Sequence, residues 1–566
     1  MSNPQRLNIV FCWHMHQPQY RDLLTGRYLQ SWTYLHAVKD YEDMAGHLER
    51  YPDIRAVVNF VPVMLEEIGN YSSQIEAFLA TGSALDDPLL AALATGSTRC
   101  RSIDRPRLAG MCLRANERRV IQRFAPYQRL VELVRFHQQH DPSLSYVSDS
   151  LIDDLVVWYH LAWIGETVRR GDERIQRLME KAGRFTHEDR ISLVRVLAEV
   201  LGGLVARYQG LHARGQVELS MTPYAHPMLP LLVDFEAARD AVPEVLLPDH
   251  PYPGGKERVR WHIEVGITSF ERIFGHRPRG CWPSEGGVSD AVLPLLAEYG
   301  FSWFASGQGV LNNSLLRAGG GIHDASWPYR IYRLRGLPLH GFFRDDDLSD
   351  AIGFNYSDWH GEDAVADFVN RLTDIASRLE SPQDHVVPII MDGENAWEHY
   401  PDNGYYFLDH LYQALSDHPL IRTTTFGDLA ADSSLHSVEL QGLCAGSWVY
   451  GSFSTWIGDS DKNRAWEILV GCKRAFDAVV ADHCLAPEDI RRLEQQLAVC
   501  EGSDWFWWFG DYNPVESISD FSELFRLHIS NLYAMMGRPV PDEVHASFGT
   551  GGDVEHGGAM RRGREG

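Results

Sequence analysis

The stretch NIVFCWHMHQP, residues 8–18, decides the fold. Its first part, Asn8 to Trp13, is an apolar run of the kind found in strands that are buried on both faces of a parallel sheet. His14 and His16 follow this run directly. Because side chains two positions apart on a strand point the same way, we predict that these histidines share a pocket at the strand's carboxyl end.

Similar apolar runs recur along the chain and alternate with helical patterns. Alternating strands and helices predict a parallel α/β architecture, and this number of strands favours a barrel over an open sheet. In such a fold the chemistry lies at the carboxyl ends of the strands. The further predicted strands are Arg55–Val61, Val217–Ser220, Phe301–Ala305, Ile331–Arg333, Leu339–Phe343 and Val386–Met391.

The remaining patterns predict the domain organisation. Residues 1–430 are expected to form the barrel, with a helical insertion at about 89–215, where Thr186 and Asp189 open one helix as a capping pair. Residues 431–545 are expected to form an α-helical C-terminal domain with aromatic loops. Residues 546–566 are Gly-rich and charged, which predicts a disordered tail.

Composition limits the partners. The chain has 52 Lys and Arg against 77 Asp and Glu, a net charge of −25, which would repel a nucleic-acid backbone or an anionic membrane. No stretch has the 18 apolar residues of a membrane span. The eight cysteines form no CxxC pair and are interpreted as free thiols, so we expect a cytoplasmic protein.

Two acidic residues stand just after apolar runs. Glu285 lies in RPRGCWPSEGG, residues 277–287, where glycine and proline predict a tight loop. Asp392 ends the run VPIIMD, residues 387–392. Two carboxyls can divide general-acid and nucleophile duties if their surroundings separate their pKa values, and glycoside hydrolysis is the commonest such use. His226, and Arg344 with Asp345, also lie just past apolar runs.

The aromatic loops fit a sugar ligand, because tryptophan faces stack on sugar C–H surfaces while the indole N–H finds a polar partner. They are GSWVYGSFSTWIGD, residues 446–459, and GSDWFWWFGDYN, residues 502–513. For Trp505 to Trp508, packing between domains is the competing interpretation.

Seven motifs together resemble glycoside hydrolase family 57. Five match its ordered regions, and the last two match its amylopullulanase-like branch. They are HMHQP (14–18), ELSMTPYAHPMLPLL (218–232), GCWPSEGGVS (280–289), MDGENAWE (391–398), GSWVYGSFSTWIGD (446–459), FFRDDDLSDAIGFNY (342–356) and SDWFWWFGD (503–511).

The resemblance implies a (β/α)7-type barrel, followed by a helical domain that closes over the cleft, and retaining action on alpha-glucans. By position, Glu285 matches the family's nucleophile and Asp392 its general acid/base. No cofactor and no metal are expected. The implied substrate contacts are His14, His16, His226, Trp282, Arg344, Trp448 and Asp504. Tyr512 and Asn513 depart from the family pattern, since relatives commonly have an acid and a histidine there.

Several alternatives remain open at this stage. Hydrolysis, disproportionation by a 4-alpha-glucanotransferase, and glucan branching could all use the same two acids. A metal-dependent deacetylase or mannosidase could use His14 and His16, although a zinc site needs a third protein ligand and the sequence offers no convincing one. A glycan-binding protein without catalysis could use the tryptophan loops alone. The sequence makes no prediction of oligomeric state.

Overall fold

A computed structural model describes residues 5–97, 100, 103–319, 326–482, 485–510, 512–549 and 560–563. The strands are β1 (Leu7–Met15), β2 (Ala56–Phe60), β3 (Val217–Met221), β4 (Gly280–Cys281), β5 (Trp303–Ser306), β6 (Ile331–Leu334), β7 (His340–Phe343), β8 (Val386–Asp392), β9 (Ile421–Thr423) and β10 (Ser437–Leu440).

The helices fall into three groups along the chain. Before β3 lie α1 (Trp32–His36), α2 (Glu42–Arg50), α3 (Pro62–Thr81), α4 (Pro88–Thr95), α5 (Arg105–Met111), α6 (Ala125–His140), α7 (Asp149–Trp163), α8 (Glu166–Gly171), α9 (Glu173–Lys181) and α10 (His187–Ala213). Between β3 and β10 lie α11 (Leu229–Val233), α12 (Gly255–Phe274), α13 (Leu293–Glu298), α14 (Gln308–Arg317), α15 (Asp346–Asp350), α16 (Gly361–Arg378), α17 (Tyr405–Ser416) and α18 (Phe426–Ala431). After β10 lie α19 (Ser460–Ala481), α20 (Pro487–Cys500), α21 (Asp504–Trp508) and α22 (Val515–Met535).

The strands form one parallel-rich sheet in the order β10-β6-β7-β5-β4-β3-β2-β1-β8, with β9 added beside β1. Only the β6–β7 pair is antiparallel among the described strands. The predicted α/β architecture with its parallel sheet is confirmed. β4, β9 and β10 were not predicted: β4 and β9 have only two and three residues, which carry too little periodicity to detect, and β10 lies in the segment that was expected to be helical.

The predicted helices between the early strands are confirmed. Helices α3 to α10 separate β2 from β3, and Thr186 caps α10 by accepting from Asp189 N while the Asp189 side chain accepts from the Thr186 backbone. α10 packs against α3. No helix among the described residues has the length and hydropathy needed to cross a bilayer.

Part of the segment from Ala546, for which the sequence predicts disorder, makes contacts with the rest of the chain. The Phe548 ring is buried and stacks on Phe509 at 4.2 Å. The Arg561 guanidinium lies 3.8 Å from the centre of the Tyr512 ring, and Gly563 N donates to Asp350. Aromatic and cation–π contacts thus hold these residues in place despite their glycine-rich surroundings. Residues 550–559 and 564–566 lie outside the described residues.

Candidate active site

The carboxyl ends of three adjacent strands bring polar residues together. His14 on β1 is in register with Asn59 on β2 and with Asp392 on β8. Both neighbours pair with β1 in parallel, so all three residues lie at the same edge of the sheet. The apolar runs before them are buried and fix this alignment.

Glu285 is held on a tight turn after the short strand β4. Its backbone is left-handed, with φ 60° and ψ 21°, a conformation that is strained for a residue with a side chain. Two contacts hold the turn: Trp448 N donates to Glu285 O at 3.0 Å, and Ser306 Oγ donates to Gly286 O at 2.6 Å. The turn therefore sets the carboxyl in the cleft, where the residue is only 8% exposed.

One cleft, with a cavity volume of about 400 Å³, contains both candidate acids. Most of the predicted contact residues line it as well. The predicted site residues found in its lining are His14, His16, His226, Glu285, Asp392, Trp448 and Asp504.

Trp282 and Arg344 are not in that lining. Trp282 is fully buried and meets Trp448 edge-on at 5.4 Å. The three guanidinium nitrogens of Arg344 bind Asp346, Asp350 and the carbonyl oxygen of Ile390, and its charge lies 5.5 Å from the Trp448 ring. The structure therefore places both residues behind Trp448, where they support the cleft wall.

Glu285 accepts two hydrogen bonds through its carboxyl. Ser503 Oγ lies 2.9 Å from Oε1, and Trp448 Nε1 donates to Oε2 at 3.2 Å. The pKa of Glu285 is raised to about 8: burial raises it most, the charges of Asp504 and Asp392 also raise it, and the two hydrogen bonds lower it.

Asp392 has a smaller shift in the same direction. Burial raises its pKa to about 6, opposed by the hydrogen bond from Asn395 Nδ2 to Oδ2 at 2.9 Å and by the charges of His16 and Arg344. Nearby, Glu394 is buried in the cleft wall and accepts from the backbone N–H of His16 at 3.4 Å.

Three histidine rings stack beside the acids. The His16 and His226 ring centres are 3.8 Å apart, and those of His14 and His226 are 5.2 Å apart. His14 Nε2 lies 3.2 Å from His226 Nε2. Burial lowers the pKa of His14 to about 3 and that of His226 well below its usual range, so both rings are neutral at physiological pH.

His16, His226 and Asp504 could hold a metal ion, because one ligand atom from each lies within 4.8 Å of the others. This set shares only His16 with the pair His14 and His16 that the sequence suggested for a metal site, and it adds His226 and Asp504. These atoms are also bound to the protein: His16 Nε2 lies 2.8 Å from Asp504 Oδ1, and both nitrogens of His226 contact neighbours. A metal would have to replace these contacts.

The segment between α20 and α21 reaches into the cleft from the C-terminal helices. Ser503 N donates to His226 O at 2.8 Å, and Asp504 follows. Glu501 anchors the segment to α12 through Arg258 Nη2 and His262 Nε2, each 2.8 Å from Oε2. Of the tryptophan run that follows, Trp505 is buried, whereas Trp507 and Trp508 line the cleft. Packing therefore accounts for Trp505, whereas sugar contact stays a prediction for Trp507 and Trp508.

Ser503 and Asn59 are site residues that the sequence analysis missed. A signal existed for each. Asn59 is the polar residue inside the apolar run RAVVNFV, and Ser503 directly precedes the predicted contact Asp504. Neither type is distinctive in itself, since serine and asparagine are common at strand and helix ends.

A family model described as Glycosyl hydrolase family 57 matches residues 10–438. No curated protein sequence matches the chain significantly.

Among solved structures, the fold is similar to a GH57 branching enzyme from Thermococcus kodakaraensis, with TM-score 0.56 and 14% identity over 94% of this chain and 89% of that one. It is also similar to the alpha-amylase AmyC from Thermotoga maritima, with TM-score 0.54 and 14% identity over 95% of this chain and 96% of that one.

Proposed function

The chain belongs to glycosyl hydrolase family 57, whose members are glycoside hydrolases and transferases that act on alpha-glucans, and from this premise we propose a retaining, two-carboxylate enzyme. The observation that carries the proposal is that Glu285 and Asp392, 107 positions apart, line one cleft together.

In the first step Glu285 attacks the anomeric carbon while Asp392 gives its proton to the departing glycosidic oxygen, which leaves as a free hydroxyl. The product is a glycosyl ester of Glu285. In the second step water or a sugar hydroxyl attacks the same carbon, Asp392 takes the incoming proton, and the carboxylate of Glu285 is released. Two inversions at one carbon retain its configuration.

This mechanism needs one proton on the pair, and the pKa values supply it. With values of about 8 for Glu285 and about 6 for Asp392, the pair holds one proton near pH 7. Taken residue by residue, these values put the proton on Glu285, whereas the proposed roles put it on Asp392. We favour the proposed roles, because Glu285 has two donors aimed at its carboxyl and Asp392 has one. kcat/KM should then be bell-shaped, with limbs near pH 6 and pH 8.

His14, His16 and His226, with Asp504, are proposed to surround the reacting sugar. Their polar edges and stacked rings line the cleft beside both acids. Trp448, Trp507 and Trp508 offer apolar faces for neighbouring sugars of the chain.

Transfer to a second glucan is the second candidate. Trp32 and Trp163 also line the cleft, from the helices before β3, so the cleft has aromatic surface beyond the C-terminal loops. An acceptor sugar that is held on such a surface competes with water for the glycosyl ester. Two of the structures similar in fold are named branching enzymes.

The barrel and the C-terminal domain of this family are part of the same proposal. We propose that the seven parallel strands β7-β5-β4-β3-β2-β1-β8 form the family's (β/α)7 barrel over residues 1–430, and that residues 431–545 form a domain that closes the cleft. The hydrogen bond from Asp345 N to Pro388 O, 2.8 Å long, supports closure between the ends of the strand order. The seven described cysteines are buried, which fits thiols in a reducing compartment and supports the proposed cytoplasmic location.

Product analysis tests the function. The purified protein is incubated with maltooligosaccharides, with pullulan and with amylose, and products are separated by size and by linkage. New reducing ends and shorter chains mean hydrolysis, longer chains mean disproportionation, and new 1,6 links mean branching. Glu285→Gln should lose nearly all turnover with its fold intact. Wild-type turnover in that variant, or no reaction on any glucan, would refute the proposal.

A further inference from the structure

A line of buried contacts runs from Asn59 to the carboxyl of Glu285. His14 Nδ1 lies 2.7 Å from Asn59 Oδ1, and His14 Nε2 lies 3.2 Å from His226 Nε2. His226 Nδ1 lies 2.8 Å from Ser503 Oγ, which in turn lies 2.9 Å from Glu285 Oε1. Asn59 and Ser503 are fully buried and the two histidines nearly so. We call these four residues the relay.

Counting hydrogens fixes the direction of the relay when Glu285 is ionised. Each neutral imidazole has one N–H, and Ser503 has one O–H. A carboxylate can only accept, so Ser503 must donate to Glu285 and His226 must donate from Nδ1 to Ser503. The Nε2 of His226 is then an acceptor, so His14 donates from Nε2 and its Nδ1 must accept from the Asn59 amide.

The surroundings of Asn59 favour this direction. Rotating the amide by 180° exchanges its oxygen and nitrogen without moving any other heavy atom. When the amide nitrogen of Asn59 faces His14, its second N–H donates to Thr222 Oγ1, 2.8 Å away. The Thr222 hydroxyl then donates its own hydrogen to Trp282 O at 2.7 Å. With the oxygen there instead, the single hydroxyl hydrogen of Thr222 would have to serve two acceptors. Ser220 Oγ, 3.0 Å from the other end of the amide, is able to donate or accept.

We propose that Ser503 is a positioning residue that holds the nucleophile Glu285 ionised, and that Asn59 sets the direction of its hydroxyl through His14 and His226. The inference rests on the proposed function, in which Glu285 attacks the sugar. If Glu285 were protonated and donated to Ser503, every contact in the relay would reverse, and Thr222 would lose a partner. The relay therefore favours ionisation of Glu285.

Other groups around Glu285 act on the same equilibrium. The carboxylates of Asp504 and Asp392 oppose ionisation, as does burial, whereas Trp448 favours it. His226 Nδ1 is 3.8 Å from Glu285 Oε1, and the ring is neutral. His16 stacks on His226 and pairs with Asp504. Within the part of the chain that the structure describes, the relay supplies one of the two hydrogen-bond donors to the carboxyl, and Trp448 supplies the other.

The test is the pH dependence of kcat/KM. The acid limb is the low-pH side of the kcat/KM profile, where Glu285 becomes ionised. Ser503→Ala should move this limb to a pH about one to two units higher, since a hydrogen bond to a charged group is lost. Ser503→Thr keeps the hydroxyl and should restore the limb. Asn59→Leu does not touch Glu285, yet it should move the limb in the same direction, and the double variant should shift no further than Ser503→Ala alone.

Ser284→Ala is the matched control. Ser284 is a buried neighbour of Glu285 in sequence, and within the described residues its hydroxyl has no hydrogen-bond partner. The acid limb of this variant should stay in place. Melting curves of each variant check the fold.

A second measurement needs no turnover. Trp448 donates to Glu285, so the pH titration of tryptophan fluorescence, taken as the difference from Glu285→Gln, reports ionisation of Glu285. Ser503→Ala and Asn59→Leu should raise its midpoint. If glucans are not cleaved but the midpoints move, the proposed function fails and the relay holds. Unmoved midpoints, or additive shifts in the double variant, overturn the relay.

Discussion

Trp448 donates two hydrogen bonds to Glu285, one from its backbone N–H to the carbonyl oxygen at 3.0 Å and one from its indole Nε1 to the carboxyl Oε2 at 3.2 Å. The two residues are 163 positions apart. One residue of an aromatic loop thus fixes both the strained backbone and the side chain of the candidate nucleophile. In the sequence analysis Trp448 was a substrate contact only.

Trp448→Phe tests whether the indole N–H of Trp448 also holds the carboxyl of Glu285. The ring is kept and the indole donor is lost, so kcat/KM should fall by about 10- to 100-fold, the effect of losing a hydrogen bond to a charged group. Steady-state kinetics on a maltooligosaccharide measures it. Trp456→Phe, in the same loop and buried, is the control and should change kcat/KM less than threefold, or about 0.6 kcal/mol. Equal losses in the two variants would argue against the role.

Asp504→Asn should shift the acid limb of kcat/KM to lower pH. The charge of Asp504 raises the pKa of Glu285, so its removal lets Glu285 ionise at lower pH. This is opposite in sign to the effect expected for its neighbour Ser503. The limb position is read from the full pH profile, because the height of the profile also reflects the loss of the contact with His16. An upward shift would contradict the electrostatic account.

Glu285→Gln should stabilise the fold, and more so at higher pH. The folded-state pKa of Glu285 is raised from an ordinary 4.5, to about 8 at most, so the wild type loses stability as pH rises from about 4.5 to at most about 8. The glutamine has no such dependence. The difference in unfolding free energy should be near zero at pH 4 and reach at most about 5 kcal/mol at pH 9, from 1.36 kcal/mol per pH unit. Urea unfolding at several pH values measures it, and a difference that is constant with pH would exclude the burial effect.

Glu501→Gln should destabilise the fold by about 3 to 5 kcal/mol, because Arg258 is left as an uncompensated buried charge. The pKa of Glu501 is lowered to about 2: burial raises it, but the charges of Arg258 and His262 and their hydrogen bonds together lower it by more. This contribution is therefore present above about pH 4.5 and is lost as pH falls towards 2.

The free energy of unfolding is measured in urea for the wild type and for Glu501→Gln at pH 7 and at pH 3. The difference between the two proteins should be smaller at pH 3. Glu467→Gln is the control, because Glu467 pairs with His250 at the surface and should cost less than about 1 kcal/mol. If both variants cost the same, Glu501 is not the anchor of the Ser503 segment.

Activity should survive dialysis against EDTA. The atoms of His16, His226 and Asp504 that could bind a metal are bound to one another or to neighbouring residues, and the two-carboxylate mechanism has no step for an ion. Turnover and metal content of the dialysed protein are measured together. Loss of turnover that zinc restores would favour the metal-dependent alternative.

The sequence predicted the strands that carry the site, because buried parallel strands are continuous apolar runs and end where polar residues begin. β1, β8 and the loop of Glu285 were found in this way. The two-residue β4 was not found, although it holds Glu285, because the parallel pairing of Cys281 with Met221 and Phe304 is what defines it. The tail after Ala546 was predicted from composition, which does not register the single contacts of Phe548 or Arg561.

What the sequence by itself determined is local: the alternation of strands and helices, the acids and histidines at strand ends, and the aromatic loops, along with their resemblance to one family. These follow from periodicity and turn chemistry over a few residues. Only the tertiary structure decided which hydroxyl and which indole meet Glu285, and which rings line the cleft. It also decided that Glu285 is buried and Asp392 half-buried, and burial raises the pKa values of both, because the loss of water around a carboxylate depends on every segment packed against it.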